Sequence, residues 1–318
     1  MTTTTSPLHF VYLTSSPFSG STLFSLFAKS HPRIATVGEM TGLVPAQDPD
    51  AYLCSCHKPI RQCPFWMLVK EHMLAKGHNF DPGNFGTRFR LGNTSLTKQL
   101  SSGSLRSTLL EDLRDGIIDL WPVMRRRLGD VVARNKALAD SILRASGKQV
   151  FFDASKDPMA IRHFERDADI RLQVVHMVRD VRGVALSRIK NRGEMNWNRA
   201  VSAWLRMNRS IDRELRRVPE ATWIRIRYED LCRDPTGTMN RFFQFCGLDD
   251  HDVGCNFSSE EHHIVGNRMR LTSISAIRLD ETWRRTLTSV EVERASRIAG
   301  SLHRKYGYPA MKASELVA

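Results

Sequence analysis

The amino-acid sequence predicts an α/β protein with a P-loop-like, doubly wound and mainly parallel sheet that is flanked by helices and carries a helical insertion. Two observations predict this class. Four short apolar runs are each followed by a polar turn and then by residues with helical spacing. After the first of these units, residues 45–147 change to a helical periodicity throughout. Strands that alternate with helices form right-handed βαβ units, so the four strands should lie parallel in one sheet.

Each element can be justified from its own residues. The third apolar run is almost continuously apolar, which is typical of a strand buried on both faces. Pro158 should open the helix after the strand KQVFFDASKDP, and Gly247 should follow the last residue of the helix after the strand TWIRIRYED. The predicted strands are LHFVYLT (8–14), RIATV (33–37), KQVFFDASKDP (148–158), IRLQVVHMVRD (170–180) and TWIRIRYED (222–230), and the helices that follow the four main strands are TLFSLFAKSH, 158–164, VRGVALSRIK and 236–246.

Ligands of such sheets bind beyond the carboxyl ends of the strands, so four segments that are distant in the sequence should share one rim. These segments are 15–22, 154–157, 179–182 and 228–230. We expect residues 1–318 to form one domain in which the insertion 45–147 lies over this rim and forms a ligand pocket or its lid. The insertion has three helical stretches, CPFWMLVKEHMLAKG, STLLEDLRDGIIDLW and VVARNKALADSILRA, with a Gly/Asn/Ser-rich loop from 77 to 104.

The formal net charge of +13 favours anionic partners, which include nucleotides, sulfated or acidic substrates, nucleic acid and membrane surfaces. The basic residues are scattered, and the sequence has no Arg/Lys tail or RNA-binding aromatic signature, so nucleic acid is disfavoured as a partner. No apolar stretch reaches the roughly eighteen residues of a membrane span, and residues 1–7 lack the features of a signal peptide. We therefore expect a soluble, cytoplasmic protein, and the sequence indicates no oligomeric state.

The stretch LTSSPFSGSTLF, residues 13–24, resembles a Walker phosphate loop with one essential residue changed. Gly20 and the hydroxyl of Thr22 match that loop, but Ser21 stands where ATP chemistry needs a lysine. The turn can still bind one oxyanion, since glycine permits close backbone approach and the N–H groups of 19–22 face the turn at a helix N-terminus. The alternative is an ordinary Ser/Gly-rich turn between a strand and a helix.

A second pair of residues points to another anion site. Arg179 ends a buried strand, and Ser187 lies eight residues later on the following helix. The guanidinium offers a fork of donors for a phosphate and the hydroxyl offers one more, so the pair can clamp a separate phosphoryl group. The alternative is an ion pair between Arg179 and Asp180 at the end of the strand.

The P-x-S-G-[ST]-T loop at 17–22, together with Arg179 and Ser187 at their spacing, resembles the family of sulfotransferases that use 3'-phosphoadenosine-5'-phosphosulfate (PAPS). The segments SHPRIATVGEMTGL, SKDP, RYEDLCRDP and WRR...KYGY follow in the order seen in that family, and the arrangement is most similar to the protein-tyrosine sulfotransferases and their bacterial relatives. The resemblance covers residues 8 to about 309. It implies a sulfotransferase that moves a sulfuryl group from PAPS to an acceptor hydroxyl, with the insertion choosing an acceptor whose class the sequence does not indicate.

The resemblance also implies roles for single residues. Glu39 would be the general base, and Lys156 would stabilise the leaving phosphate. The 5'-phosphate side of the cofactor would lie on the loop, the 3'-phosphate on the arginine and serine, and the adenine beside the tyrosine of RYEDL. The implied cofactor-binding residues are Pro17, Phe18, Ser19, Gly20, Ser21, Thr22, Ser155, Arg179, Ser187, Tyr228, Asn267, Arg270 and Arg278.

Each of these residues also has an ordinary structural reading. Glu39 could be a surface carboxylate beside a glycine turn, and Lys156 could form a salt bridge with Asp153 or Asp157. Tyr228 could be a tyrosine packed at a strand end, and the C-terminal asparagine and arginines could belong to a solvated basic face.

Phe18 departs from the family pattern, in which this position usually carries Lys or Arg near the 5'-phosphosulfate. Either another basic residue substitutes, with Lys156 the first candidate, or turnover is weak, or the protein binds without transfer. The alternatives to a sulfotransferase are accordingly a small-molecule kinase, which Ser21 disfavours, and a nucleotide-binding protein without turnover.

No metal is required by sulfuryl transfer. The pattern C-x-C-H-x₅-C nevertheless supplies four soft ligands, Cys54, Cys56, His57 and Cys63. The spacing differs from that of paired C-x₂-C zinc sites, so a reduced cluster or a local disulfide is favoured over structural zinc. We therefore assign no metal ligands from the sequence.

Overall fold

Five parallel strands form the sheet at the centre of the computed structural model, which describes residues 6–42, 48–92, 94–101, 104–193, 196–254, 277–310 and 312. The strand order is β2-β3-β1-β4-β5, so the first strand lies in the middle. Tyr12 of that strand faces Asp153 on one side and Val174 on the other. The strands are β1 (Leu8–Ser15), β2 (Ile34–Thr36), β3 (Val150–Lys156), β4 (Ile170–Val178) and β5 (Trp223–Arg227).

Helices connect the strands and make up about half of the chain between β2 and β3. The helices of the described residues are α1 (Ser21–Ser30), α2 (Pro64–Ala75), α3 (Ser95–Leu100), α4 (Thr108–Leu120), α5 (Pro122–Ser146), α6 (Pro158–Glu165), α7 (Val181–Arg192), α8 (Trp197–Leu215), α9 (Tyr228–Arg233), α10 (Pro235–Phe245), α11 (Trp283–Thr286) and α12 (Ser289–Lys305). All five predicted strands are present, and Pro158 occupies the first turn of α6 as predicted. The helices α2, α4 and α5 lie at the three helical stretches predicted for the insertion.

The sequence was misleading or silent at four places. The predicted strand 222–230 is too long, because Tyr228 already begins α9. The predicted loop 77–104 contains the short helix α3, and the long helices α8 and α12 were not predicted. The residues that directly follow β5 at the rim of the sheet therefore form the first turn of a helix.

Alternate residues of the central strand pack into two different cores, one on each face of the sheet. Phe10 and Tyr12 of β1 join the core that includes residues of α2, α5, α6 and α8. Val11 and Leu13 join the core that includes residues of α1 and α10. The side-chain alternation of a strand places these pairs on opposite faces, and both faces are covered by helices. The predicted fold class, a P-loop-like α/β sheet flanked by helices, is thereby confirmed.

The helix α4 buries Glu111, Arg114 and Asp115 and exposes its leucines. Glu111 and Asp115 lie against α8, where both pair with the buried Arg213. Buried charges are tolerated when each has a partner of opposite charge. Arg162 of α6 is a second such partner for Asp115, at a distance of 2.9 Å. The exposed apolar side chains on or just after this helix are Leu109, Leu110, Leu113, Ile117, Leu120 and Trp121. Helical periodicity in the sequence predicted the helix but could not show which face turns inward.

No helix within the described ranges combines the length and the apolarity that crossing a bilayer requires.

Candidate functional site

A cavity of about 1130 Å³ opens at the carboxyl ends of the strands. Its wall includes residues from the ends of β1, β3 and β4, from the start of α9, and from the 87–101 region of the insertion. The residues of the predicted site that line it are Pro17, Phe18, Gly20, Ser21, Thr22, Glu39, Ser155, Lys156, Arg179, Ser187, Tyr228 and Arg278. Ser19 is buried in the turn, where its hydroxyl lies 2.9 Å from that of Ser16. Asn267 and Arg270 lie outside the described residues.

The turn between β1 and α1 can hold an oxyanion because of its backbone. Phe18 and Gly20 have φ angles of 69° and 91°, in the left-handed region, and α1 begins at the next residue, Ser21. A Cβ atom on Gly20 would lie 2.5 Å from the ring of Tyr228, so only glycine fits there. The first N–H groups of a helix have no partner within the helix, and the positive end of the helix dipole adds to them. This end of α1 forms part of the cavity wall, where those groups can reach a bound anion.

Lys156 supplies the cation that the turn lacks. The pairing of β1 with β3 shifts by one residue between Tyr12 and Thr14, so that Thr14 faces Lys156 at the end of β3. Lys156 itself has a φ of 73°, and its Nζ donates to Ser21 Oγ at 3.3 Å. Ser21 is the residue that replaces the Walker lysine. The irregularity at the end of β3 therefore brings an ammonium group to the place where the loop has none.

The same ammonium group also binds Glu39, because Lys156 Nζ lies 2.5 Å from Glu39 Oε1. The two side chains are only 20% and 28% exposed. The salt bridges to Asp153 or Asp157 that the sequence left open are not the pairing seen. Asp157 instead caps α6 by accepting from the Met159 N–H at 3.0 Å. The structure thus places the predicted base and the predicted leaving-group cation in direct contact.

The turn that carries Glu39 is fastened to β3 on both sides of the glutamate. The N–H of Ala154 donates to the carbonyl of Gly38 at 2.8 Å, and the N–H of Met40 donates to Asp153 Oδ1 at 3.0 Å. The N–H of Thr41 donates to Ser155 Oγ at 3.1 Å. The Ser155 hydroxyl in turn donates to Asp153 at 2.6 Å. The hydroxyl hydrogen of Ser155 is therefore engaged by Asp153, and the hydroxyl oxygen orients the Glu39 turn through Thr41.

Burial raises the pKa of Asp153 to about 7, although hydrogen bonds from Ser155 and Met40 favour the ionised form and Glu39 adds a like charge. Burial likewise raises the pKa of Asp157 to about 6 against the hydrogen bond from Met159. Both groups bind protons more tightly in the folded than in the unfolded chain. Their contribution to stability is therefore full below pH 4 and is lost as pH rises through 6 to 7.

We expect Asp153→Asn to change stability in a pH-dependent way. An asparagine oxygen can accept the same hydrogen bonds without a buried charge. The free energy of unfolding of the variant should therefore rise relative to that of wild type by a few kcal/mol as pH increases from 5 to 8. Urea unfolding at both pH values measures this difference, with Asp130→Asn on the exposed surface as the control. A constant difference between Asp153→Asn and wild type at the two pH values would show that Asp153 is ionised throughout.

Arg179 connects the end of β4 to the anion-binding turn. Its Nη1 donates to the Phe18 carbonyl at 3.1 Å, and its guanidinium lies 4.4 Å from the centre of the Tyr228 ring. The pairing with Asp180 that the sequence left open is not the pairing seen, because Asp180 caps α7 and pairs with Arg182. Arg179 therefore faces the cavity side of the turn, and Ser187 lines the same cavity.

No sequence motif pointed to Asp280, whose carboxylate binds the guanidinium of Arg179. Arg179 Nη2 donates to the Asp280 carboxylate at 2.8 Å and to its carbonyl at 3.0 Å. Burial alone would favour the neutral acid, but hydrogen bonds from Thr282 and Arg179 lower the pKa of Asp280 to about 2. The side chain is 45% exposed, whereas that of Arg179 is 8% exposed. A carboxylate anion is thus bound where the second phosphate was predicted.

The insertion adds polar and basic residues that no motif revealed. Thr87 donates to the Met40 carbonyl, and Arg88 Nε donates to the Thr41 carbonyl at 2.9 Å, so this segment holds the Glu39 turn from the other side. The cavity-lining residues of the insertion are Thr87, Arg88, Phe89, Arg90, Lys98, Ser101 and Asn135. The alternation of Arg88 and Arg90 in TRFRLG was the one available signal, and it is too short to identify a site.

The fold and this cavity together define a P-loop-like α/β protein in which a lysine at the end of a neighbouring strand lies beside the turn between β1 and α1. The chain belongs to the sulfotransferase family: the family model described as "Sulfotransferase family" matches residues 11–252. The family predicted from the ordered motifs is thereby confirmed, and the protein is a transferase of that family.

Two solved structures share the fold over nearly their whole lengths. The sulfotransferase domain of the Synechococcus PCC 7002 olefin synthase is 20% identical with a TM-score of 0.54, and the match covers 93% of this chain and 95% of that one. The sulfotransferase domain from the curacin biosynthetic pathway is 17% identical with a TM-score of 0.51, covering 96% and 99%. Carbohydrate sulfotransferase 5 of Mus musculus is 26% identical over 172 residues, or 45% of this chain and 43% of that protein. The chain thus matches less than half the length of this curated relative.

Proposed function

We propose that the protein transfers a sulfuryl group from PAPS to an acceptor hydroxyl. The observation that carries this proposal is that two segments about 160 residues apart line one cavity. The turn around Gly20 and the pair Arg179 and Ser187 both face it, and Arg179 is hydrogen-bonded to the turn itself. Two separate anion sites in one cavity fit a nucleotide with phosphates at both ends of its ribose.

The donor sets fit such a cofactor. The helix N-terminus at Ser21 and Thr22, with the ammonium of Lys156, suits the 5'-phosphosulfate. Arg179, Ser187 and Arg278 suit the 3'-phosphate, and Asn267 and Arg270 stay proposed contacts outside the described residues. A cavity of about 1130 Å³ exceeds a typical small-molecule site of about 300–1,000 Å³, so it has room for an acceptor as well.

Three of the predicted cofactor contacts take a supporting role in this proposal. The ring of Tyr228 is enclosed between Gly20 and Arg179, so it holds the two anion sites together and meets the adenine only along its cavity edge. Ser155 orients the Glu39 turn through Asp153 and Thr41. Phe18 contributes its carbonyl to Arg179, and Lys156 replaces the cation that this position usually provides.

When bound, PAPS supplies an activated sulfuryl group with a phosphate as its leaving group. Glu39 accepts the proton of the acceptor hydroxyl through its second carboxylate oxygen, since Oε1 already accepts from Lys156. Lys156 neutralises the charge that develops on the departing phosphate. The 45–147 insertion, which lines the cavity through Arg88 and Arg90, positions the acceptor. This mechanism assigns no step to a metal.

Calorimetry with adenosine 3',5'-bisphosphate and with AMP tests the proposal. Because only the bisphosphate can make the arginine-phosphate contact, it should bind about 10- to 100-fold more tightly than AMP does. This factor corresponds to about 1.5–3 kcal/mol for a hydrogen bond to a charged group. Arg179→Ala should remove this preference. Equal affinities for the two ligands would refute the 3'-phosphate clamp, and ATP hydrolysis at a comparable turnover would favour the kinase alternative.

We expect Asp280→Asn to strengthen bisphosphate binding by about tenfold. The Asp280 carboxylate competes with the 3'-phosphate for the same guanidinium, and the amide removes its charge. Titration calorimetry of this variant measures the gain, with Glu281→Gln as the matched control because Glu281 pairs with Arg284. Weaker binding by Asp280→Asn would mean that Asp280 positions Arg179 for the phosphate.

The acceptor class is a separate question. The curated relative is named a carbohydrate sulfotransferase, and the basic residues Arg88, Arg90 and Lys98 line the cavity, so carbohydrate hydroxyls are the first class to test. Incubation with radiolabelled PAPS and a panel of sugars, tyrosine peptides, lipids and small metabolites would identify the class. Tight bisphosphate binding without transfer to any member would favour the non-catalytic alternative.

A further inference from the structure

Three cysteines of the insertion bring their sulfur atoms together away from the anion-binding cavity. The Sγ atoms of Cys54, Cys56 and Cys63 all lie within 4.8 Å of one another, and those of Cys56 and Cys63 are 3.5 Å apart. Cys54 and Cys63 are fully buried, and Cys56 is half-buried. None of the described cysteines forms a disulfide.

The local backbone explains why the three sulfurs meet. Leu53 and Pro59 form an antiparallel bridge, and the Cys54 N–H donates to the Lys58 carbonyl at 2.8 Å, so 53–59 is a tight hairpin. His57 stands in its turn with a φ of 62°. The two cysteines of the hairpin thereby lie close to Cys63, which occupies the N-cap position of α2.

We infer that Cys54, Cys56 and Cys63 form a binding site for one thiophilic divalent cation of the Zn²⁺ type. Thiolates bound to tetrahedral zinc at about 2.3 Å lie roughly 3.8 Å apart, which is within the separation of these sulfurs. Even if all three separations were at the upper limit of 4.8 Å, a point equidistant from the sulfurs would be about 2.8 Å from each, so shifts of about 0.5 Å complete the bonds. Water can take the fourth position.

Two features favour a metal over a disulfide. A disulfide would join two sulfurs and leave the third buried beside it, whereas a metal uses all three. Cys63 also stands at the N-terminus of the 12-residue helix α2, where the helix dipole stabilises a thiolate. His57 is not part of the sulfur cluster, so the site differs from the four-ligand set suggested by the sequence pattern.

The cluster is connected to the sulfuryl-transfer cavity through packed aromatic rings. Cys54 and Cys63 share a core with Trp66 and Phe85, whose rings are 4.8 Å apart. Phe85 packs against Gly42, at the end of the Glu39 turn, and precedes the segment of Thr87 and Arg88 that holds this turn. A metal at the cysteines would therefore brace one wall of the proposed active site while taking no part in the chemistry.

Titration of the full chain with Co²⁺ under reducing conditions tests the inference. We expect one equivalent to bind per chain with the near-ultraviolet charge-transfer absorption of a cobalt thiolate, and Zn²⁺ to displace it and raise the unfolding temperature. Absence of this absorption at stoichiometric cobalt would overturn the inference. The outcome does not depend on activity, so it is separable from any failure of the proposed sulfuryl transfer.

Variants identify the ligands. Cys56→Ser, at the half-buried position, should bind cobalt at least tenfold more weakly, and Cys63→Ser should do the same if it folds. Cys232→Ser is the matched control, because Cys232 lies on α9 outside the cluster, and it should keep the full equivalent. A cobalt spectrum that survives in Cys56→Ser, or a Cys56–Cys63 disulfide that persists under the reducing conditions, would contradict the site.

Discussion

Replacing Glu39 with glutamine is expected to lower turnover by about 10²–10⁴-fold, the usual contribution of a general base. The amide oxygen can still accept from Lys156, so the lysine should keep its place while the proton acceptor is lost. Turnover with saturating PAPS and acceptor measures the loss. Binding of adenosine 3',5'-bisphosphate should be nearly unchanged, since the glutamate is assigned to the acceptor side.

The control for this variant is Glu165→Gln, which changes an exposed glutamate at the end of α6. It should turn over at the wild-type rate. A Glu39→Gln enzyme with the same rate would remove Glu39 from the mechanism and would leave the acceptor proton to another group or to solvent.

Replacing Lys156 with methionine is expected to lower turnover by about 10²–10³-fold, as the loss of one charge-stabilising donor does in other active sites. Methionine keeps much of the side-chain volume and removes the ammonium that lies beside Ser21 and Glu39. The charge on the leaving phosphate develops in the transition state, so the loss should appear in kcat more than in the affinity for the bisphosphate. Steady-state kinetics together with calorimetry separate the two.

Lys190→Met on the exposed face of α7 is the control, and it should behave as wild type. An effect of Lys156→Met confined to nucleotide affinity would make Lys156 a binding residue only. Because Lys156 and Glu39 are in contact, the double variant should lose less than the product of the two single losses. If the turnover losses of the two single variants multiply in the double variant, the contact between Lys156 and Glu39 is broken before the chemical step.

The sequence by itself determined the elements whose signals are local. A strand, a turn and a helix are each specified by residues within a few positions of one another, through side-chain alternation, glycine conformations and helical spacing. The anion-binding turn at 17–22 was therefore recognisable, and so was the family, because several motifs recur in one order. The same reasoning predicted that the ends of β1, β3 and β4 share a rim, since parallel strands end on the same side.

Only the tertiary structure decided which of these groups touch. The ammonium of Lys156 lies beside Ser21, where the Walker lysine is missing, although the two residues are 135 positions apart. A one-residue shift in the pairing of β1 with β3 precedes this contact. The fork of Arg179 holds Asp280, 101 residues away. Such contacts depend on packing and register across the whole sheet, and no periodicity of a short segment encodes them. Local patterns specify the backbone, whereas the identity of a charge's partner emerges when distant segments are packed together.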